Sequence, residues 1–228
     1  MSISWAVAEA LAFADRLPAL RRFVNLSSGS VYASHGRQAI GQPLPEDGSV
    51  APEGWYALTK LSGELLTGEA AAGGLPALSV RLSGVFGPLD RTTPARAVDC
   101  IPKVLVHAAR DGRVVRLVGL DGGGDWVYAG DVATAIMALL ACPNPRHPVY
   151  NIANGAFTTL RDLAALVPDL RWTETAPEEA DIATNVTLTG GRWGAYDISR
   201  MVADTGWRPR PLGEAIADYA GWLKGHQF

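Results

Sequence analysis

Tyr56 and Lys60 stand four residues apart at the start of a helical stretch, Trp55-Tyr-Ala-Leu-Thr-Lys-Leu-Ser-Gly-Glu64. That spacing puts the phenol and the ammonium on one helix face, one turn apart. Upstream, the apolar run Phe23-Val-Asn-Leu26 delivers Ser27 and Ser28 at its end. A strand ending in a hydroxyl, facing a helix that carries Tyr and Lys, has the parts to oxidise or reduce a carbinol. The Tyr56 phenolate takes the hydroxyl proton, the Lys60 charge favours that phenolate, and Ser28 hydrogen-bonds the substrate oxygen. The hydride needs an acceptor that side chains do not supply. The competing reading of Tyr56 and Lys60 is an exposed helix pair worth about 0.2–0.5 kcal/mol.

The elements that must position these groups alternate between helix and strand, which predicts a parallel sheet with helices on its faces. The pattern predicts a helix at 3–17, a strand at 22–27, the Tyr/Lys helix at 55–72 and a strand at 77–82 ending near Arg81. Gly87-Pro88 closes that unit. A helix near 96–110 and a strand at 113–118 follow, with a hairpin turn at Gly122-Gly123-Gly124. Asp131 is placed to cap a helix running to Ala141. Next come a strand at 149–152, a short helix capped by Thr158 or Thr159 with Leu160, Leu163 and Leu166 inward, an acidic loop over 173–191, and helices near 198–205 and 212–224.

The 228 residues, 48% hydrophobic, can bury one substantial core, or one core and a smaller lobe. A net charge of −3 gives no electrostatic reason to expect nucleic acid or a membrane surface as partner. Cys100 and Cys142 lack metal spacing and read as thiols of a reducing compartment rather than a disulfide, so no metal site is expected. No apolar run is long enough to span a bilayer, and the first residues read as an amphipathic helix rather than a leader. A cytoplasmic location is the expectation.

Six segments in order carry a resemblance: Phe23-Val-Asn-Leu-Ser-Ser-Gly-Ser-Val-Tyr32, Tyr56-Ala-Leu-Thr-Lys60, Val80-Arg-Leu-Ser-Gly-Val-Phe-Gly-Pro88, Gly124-Asp-Trp-Val-Tyr-Ala-Gly-Asp-Val-Ala133, Val149-Tyr-Asn-Ile-Ala153 and Gly206-Trp-Arg-Pro209. Together they resemble the extended short-chain dehydrogenase/reductase family, the NAD-dependent sugar epimerases and dehydratases. The resemblance implies an α/β fold: a partial Rossmann-like doubly wound parallel sheet lacking its first strands, with a small C-terminal α/β substrate lobe. Residues 1–87, joined by the strand at 148–152, would be the remaining half of the dinucleotide-binding domain, and 88–228 the lobe. Ser28, Tyr56 and Lys60 match the catalytic Ser/Thr, the general acid/base and the ribose-binding lysine. Leu26, Ser27, Tyr56, Lys60, Leu82, Ser83, Gly84 and Val85 would hold NAD or NADP. Ser28, Gly29, Ser30, Gly84, Arg91, Arg96 and Trp126 would meet a sugar-like substrate. The helices at 3–17 and 55–72 would build a homodimer interface, with Val7, Leu11 and Ala14 on the first of them suited either to that packing or to burial within one subunit.

The departures matter as much. None of the 25 glycines falls into the G-x-G-x-x-G or G-x-x-G-x-x-G spacing that seats a pyrophosphate on a helix N-terminus. Three explanations stand: an N-terminally shortened chain, a missing half supplied by another polypeptide, or a non-catalytic binding or assembly subunit that keeps the scaffold. An unpaired edge at 22–27 would then expose Phe23, Val24 and Leu26 and favour association with another chain. Gly29 and Ser30 stand where the 4,6-dehydratases carry acidic residues. Gly84 and Gly124 replace the Asn and Arg that grip a diphosphate, which weakens the case for a nucleotide-sugar. Arg81, Arg91, Arg96, Arg113 and Arg116 are the candidate replacements, with Arg91 and Arg96 first, as ligands for the carboxylate of a sugar acid. His35 lies near the Ser28 strand, and Trp126 and Tyr128 flank the cleft.

Overall fold

The computed structural model describes residues 3–32, 42–90, 99–175, 187–189 and 194–226. Its central sheet has three parallel strands in the order β1 (Phe23–Ser28), β2 (Ala77–Leu82), β7 (Val149–Ile152). Phe23 pairs with Ala77 and Ser28 with Leu82, so β1 and β2 end level with each other. β2 is buried along its middle, as a central parallel strand must be, whereas β1 is an edge strand and Leu26 is 45% exposed. α2 (Gly54–Ala72) crosses between β1 and β2, and α1 (Ile3–Ala14) lies against it. Both helices form where helical periodicity places them, and β1 extends one residue further than expected, to Ser28 itself.

The remaining elements form a second layer. β3 (Gly84–Phe86) pairs in parallel with β6 (Trp126–Tyr128), carrying the chain away from the sheet directly after β2. α4 (Ala129–Ala141) and α6 (Ser199–Thr205) return to the sheet: Val132, Ala135, Leu139 and Met201 share a core with Val80, Tyr150 and Ile152. A separate core joins α3 (Ile101–Arg110), β4 (Val114–Val118), α5 (Leu160–Leu166) and α7 (Leu212–Gly225) around Leu105, Leu117, Leu163 and Ile216. None of the helices among the described residues is long and apolar enough to cross a membrane.

Three local expectations are corrected. Asp131 does not cap α4, because the helix begins earlier, at Ala129. Its carboxylate instead accepts from Arg210, from Nε at 2.8 Å and the backbone N at 3.2 Å, and a charged partner outcompetes helix amides. The Gly-rich turn exists, closed by Gly122 N–H to the Gly119 carbonyl at 2.9 Å, but it makes no hairpin. β5 (Gly123–Gly124) pairs with β8 (Thr158–Thr159) instead, so closely that a Cβ on Gly123 would lie 2.0 Å from the Thr158 carbonyl oxygen. Finally, the expected loop after Thr173 contributes strands: β9 (Arg171–Glu174) and β10 (Thr187–Thr189) flank β4 in parallel. Thr159, by contrast, does cap α5, accepting from Asp162 N–H at 3.0 Å. Val7, Leu11 and Ala14 face inward; Val7 lies beside Gly63 of α2, and the other two are buried within the subunit.

Two ionic clusters hold the layers, one buried and one with its arginine at the surface. Arg81 on β2 donates to Glu64 on α2 from Nη2 at 2.7 Å and from Nε at 3.0 Å, with both side chains about 5% exposed. Ser27 Oγ donates to the same carboxylate at 2.5 Å, and Arg81 Nη1 donates to the Glu46 carbonyl at 3.0 Å. Arg81, a candidate for substrate binding on sequence grounds, is therefore a structural residue. At the far end of β7, Asp204 on α6 accepts from Tyr150 Oη at 2.5 Å, from Arg146 Nε at 2.6 Å and from Arg146 N at 2.8 Å. Burial pushes the Asp204 carboxyl up, but the bonds from Tyr150 and Arg146 outweigh it and hold the group at about 2.

Arg81→Met strands a buried carboxylate and is expected to lower unfolding stability by about 3–5 kcal/mol in urea titrations. Adding Glu64→Leu should recover most of that loss; a double variant as unstable as the single would show that the pairing is not what matters. Asp204 generates a pH effect. Its folded value lies below the roughly 3.9 of an unfolded aspartate, so the unfolded state binds the proton first. The stability it contributes is complete above about pH 5 and disappears as pH falls through about 2. Urea midpoints followed from pH 7 to pH 2 should fall less steeply in Asp204→Asn, and an unchanged acid slope would contradict this assignment.

Candidate active site

The carboxyl ends of β1 and β2 open onto a cavity of about 610 Å³ lined by Leu26, Ser27, Ser28, Tyr56, Lys60, Leu82, Ser83, Gly84, Val85, Asp99 and Cys100. Ser28 is the last residue of β1, and its hydroxyl accepts the Ser30 N–H at 3.2 Å where a short 3-10 turn begins. The hydroxyl proton remains available to a second acceptor. Lys60 reaches down from α2 and donates from Nζ to the Leu26 carbonyl at 2.7 Å, leaving two of its three N–H donors for other partners. Burial lowers the Lys60 pKa from its ordinary value. Its ammonium lies 5.6 Å from the centre of the Tyr56 ring, and that ring is 55% exposed at the cavity mouth. All three residues proposed for the chemistry thus share one cleft, as do all eight expected to hold the cofactor.

A second cavity, about 240 Å³, adjoins the first through Ser28, Leu82, Ser83 and Gly84, and continues to Ser30, Gly124, Asp125, Trp126 and Tyr196. Of the residues expected to meet substrate, Ser28, Ser30, Gly84 and Trp126 line it, and Gly29 packs beneath Tyr196. Arg91, Arg96 and His35 lie outside the described residues. Arg113 pairs with Asp111 at 3.3 Å on the surface, and Arg116 lies on β4 in the separate core layer. Tyr128 packs against Phe86 with ring centres 5.6 Å apart and is not among the residues lining either cavity.

Four lining residues escaped sequence reasoning: Asp99, Cys100, Asp125 and Tyr196. Asp125 is 3% exposed and accepts three backbone N–H groups, from Asn154 at 2.8 Å, Gly155 at 2.9 Å and Tyr196 at 3.2 Å. Burial nevertheless pushes its carboxyl up to about 6. Its neighbours Gly124 and Trp126 carried a signal, and Asp125 itself stands in the same segment. Tyr196 carried no signal. It arrives from just before α6, where its ring meets Tyr32 edge-on with centres 5.7 Å apart.

The sequence profile described as the NAD dependent epimerase/dehydratase family matches residues 1–153. The dTDP-L-rhamnose 4-epimerase of Burkholderia thailandensis is 30% identical over 178 residues, 75% of this chain and 47% of that protein. The dTDP-4-dehydro-6-deoxyglucose reductase of Escherichia coli is 27% identical over 184 residues, 78% of this chain and 56% of that protein. The chain thus spans about half the length of the curated relatives it matches. Among solved structures, UDP-glucose 4-epimerase from Thermotoga maritima superposes with a TM-score of 0.73 at 22% identity, covering 97% of this chain and 68% of that one. UDP-glucuronic acid 4-epimerase from Bacillus cereus, in complex with NAD, gives 0.70 at 20% identity, covering 96% and 66%. These structures establish the Rossmann-like α/β fold, with the chain accounting for roughly two thirds of each. On the match to the profile, the chain belongs to the NAD-dependent epimerase/dehydratase family.

Proposed function

We propose that the chain carries the catalytic and substrate-binding portion of an NAD(P)-dependent epimerase or oxidoreductase acting on a sugar-like hydroxyl. The observation that carries this reading is the convergence of Ser28, Tyr56 and Lys60 on one cavity at the strand ends. The cavity volume lies inside the roughly 300–1,000 Å³ range of small-molecule sites. The residues present fit half of a dinucleotide. The free N–H donors of Lys60 suit ribose hydroxyls, and Leu26 and Val85 offer apolar walls to a flat ring. A bound NAD(P) supplies the hydride acceptor. Tyr56 removes the carbinol proton, the Lys60 ammonium stabilises the phenolate that must exist beforehand, and the Ser28 hydroxyl donates to the same substrate oxygen. Return of hydride to the opposite face gives an epimer; release gives a ketone.

The names of the relatives support a sugar substrate, since they act on dTDP- or UDP-linked sugars. Residues 1–87 with β7 serve the cofactor in this reading, and the remainder serves the substrate, with Arg91 and Arg96 as ligands for a carboxylate. A homodimer through α1 and α2 completes it. Phe13 and Leu65 on these helices are each 64% exposed, leaving apolar surface that a second copy can cover.

Calorimetric titration with NAD and with NADP is the direct test, on the 228-residue chain and on the gene product read from further upstream. Binding by neither would leave the non-catalytic assembly subunit as the reading. In the form that binds, Tyr56→Phe should abolish turnover and leave cofactor affinity nearly unchanged, while Lys60→Ala weakens both. Turnover retained in Tyr56→Phe rejects the proton-transfer role. Light scattering coupled to gel filtration should report a dimer that Leu65→Glu converts to monomer; a monomeric parent chain rules out the helix interface.

A further inference from the structure

Three segments that are distant in sequence meet at the Asp125 carboxyl. Asp125 lies between β5 and β6, and its own carbonyl accepts from Gly84 N–H at 3.1 Å. Its two carboxyl oxygens are divided between the other segments. Oδ1 accepts from Asn154 N–H at 2.8 Å, and Oδ2 accepts from Gly155 N–H at 2.9 Å and from Tyr196 N–H at 3.2 Å. The last of these bonds positions a ring. A Cβ at position 29 would lie 1.9 Å from Tyr196 Oη, so the phenol stands against the Gly29 backbone, next to Ser28. Leu44 holds the same segment from behind, donating to the Ala195 carbonyl at 2.7 Å and accepting from Asp197 N–H at 2.9 Å. The Asp125 bond is the one that ties it across to β5 and β6.

This arrangement suits one protonation state. An ionised carboxylate accepts at both oxygens, whereas a protonated one turns an oxygen into a donor. A proton on Oδ1 confronts the Asn154 N–H, and one on Oδ2 confronts two N–H groups. Whichever oxygen takes it, at least one amide loses its acceptor, and the others lose the charge that strengthens their bonds. Among the described residues, the other groups facing the carboxyl are the Ser83 hydroxyl and the Tyr196 phenol. Behind that phenol lie Tyr32 and Arg81, and the Arg81 guanidinium is bound to Glu64. Burial holds the Asp125 carboxyl up at about 6, within reach of ordinary pH changes.

We infer that Asp125 is a proton-operated latch on the inner wall: ionised, it binds residues 154–155 and 196 into one surface; protonated, it loosens their amides and frees the Tyr196 ring from Gly29. The effect on stability has the opposite sign to that of Asp204. A folded-state value above the roughly 3.9 of an unfolded aspartate means that the native state binds the proton first. The stability that this group contributes is complete below about pH 4 and is lost as pH rises through about 6. The closed wall is held at the cost of a buried charge, and mild acid relieves that cost as it loosens the wall.

Heteronuclear NMR on the 228-residue chain tests this without cofactor, substrate or turnover, so that failure of the oxidoreductase reading leaves it standing. Between pH 7 and pH 5 the Asn154, Gly155 and Tyr196 amide resonances should move with one midpoint near 6, shared by the Asp125 carboxyl carbon. Protection of the Tyr196 amide from exchange, corrected for the intrinsic effect of pH, should fall about tenfold. The Overhauser contact between the Tyr196 ring and Gly29 should weaken over the same range. Asp125→Asn keeps the shape and cannot ionise, so its three amides should hold still, with Tyr196 protection at the low-pH level of the parent. Should Asp125→Asn fail to fold, the carboxyl carbon of the parent chain decides. A carboxyl midpoint below pH 5, amides that do not share it, an undiminished ring contact at pH 5, or a transition that survives in Asp125→Asn each overturns the assignment.

Discussion

The buried pairing of Arg81 with Glu64 fixes everything that the site requires of α2. Tyr56, Lys60 and Glu64 recur at intervals of four along that helix, so one face carries all three. Anchoring Glu64 to Arg81 on β2 and to Ser27 on β1 sets the rotation of the helix about its axis. With that rotation fixed, Lys60 falls on the Leu26 carbonyl and Tyr56 on the cavity mouth. An apolar pair of similar volume can match the stability of a buried ion pair, because desolvation consumes much of the Coulomb gain. It would not specify the rotation, since apolar contacts tolerate a slide that three directional bonds to one carboxylate do not.

The half of the site that depends on α2 and β1 was legible for this reason. Period four along the helix and an apolar run ending in hydroxyls are local patterns, and β1 and β2 end level because parallel strands of equal length pair in register. Local rules failed where a distant charge or a close backbone approach intervened. Asp131 has the chemistry of a cap, but Arg210 comes within 2.8 Å and claims it. Gly123 has the chemistry of a turn, yet it allows Thr158 to pass at a distance no side chain would permit. β9 alternates little and is largely exposed, so an edge strand in a polar sequence reads as loop. Tyr196 is the extreme case, because nothing near it in sequence announces that it returns to Gly29.

Asp125 organises the other half of the site much as Glu64 organises the first. One carboxylate collects the N–H groups of Asn154 and Gly155, just beyond β7, and of Tyr196, just before α6. Both segments are irregular, and irregular backbone in a protein interior needs acceptors for its amides. The cost is a carboxyl held out of water, visible in its upward displacement to about 6. The return is a rigid inner wall, and rigidity is what lets a phenol stand against a glycine without drifting into the space that a ligand would use.

The two halves differ in what they can discriminate. The outer cavity presents a lysine, a tyrosine, three serines and apolar strand ends. The inner cavity is smaller, shows no lysine, arginine or histidine among its described lining residues, and is walled by rings. Ser28 and Ser83 belong to both, so a carbinol oxygen within reach of Ser28 lies at the border between them. Trp126 and Tyr196 bound the inner side of that border, so both rings lie against the space next to Ser28. A side chain added at Gly29 or Gly84 would collide with the Tyr196 or Trp126 ring and deform the inner wall, while Tyr56 and Lys60 line only the outer cavity.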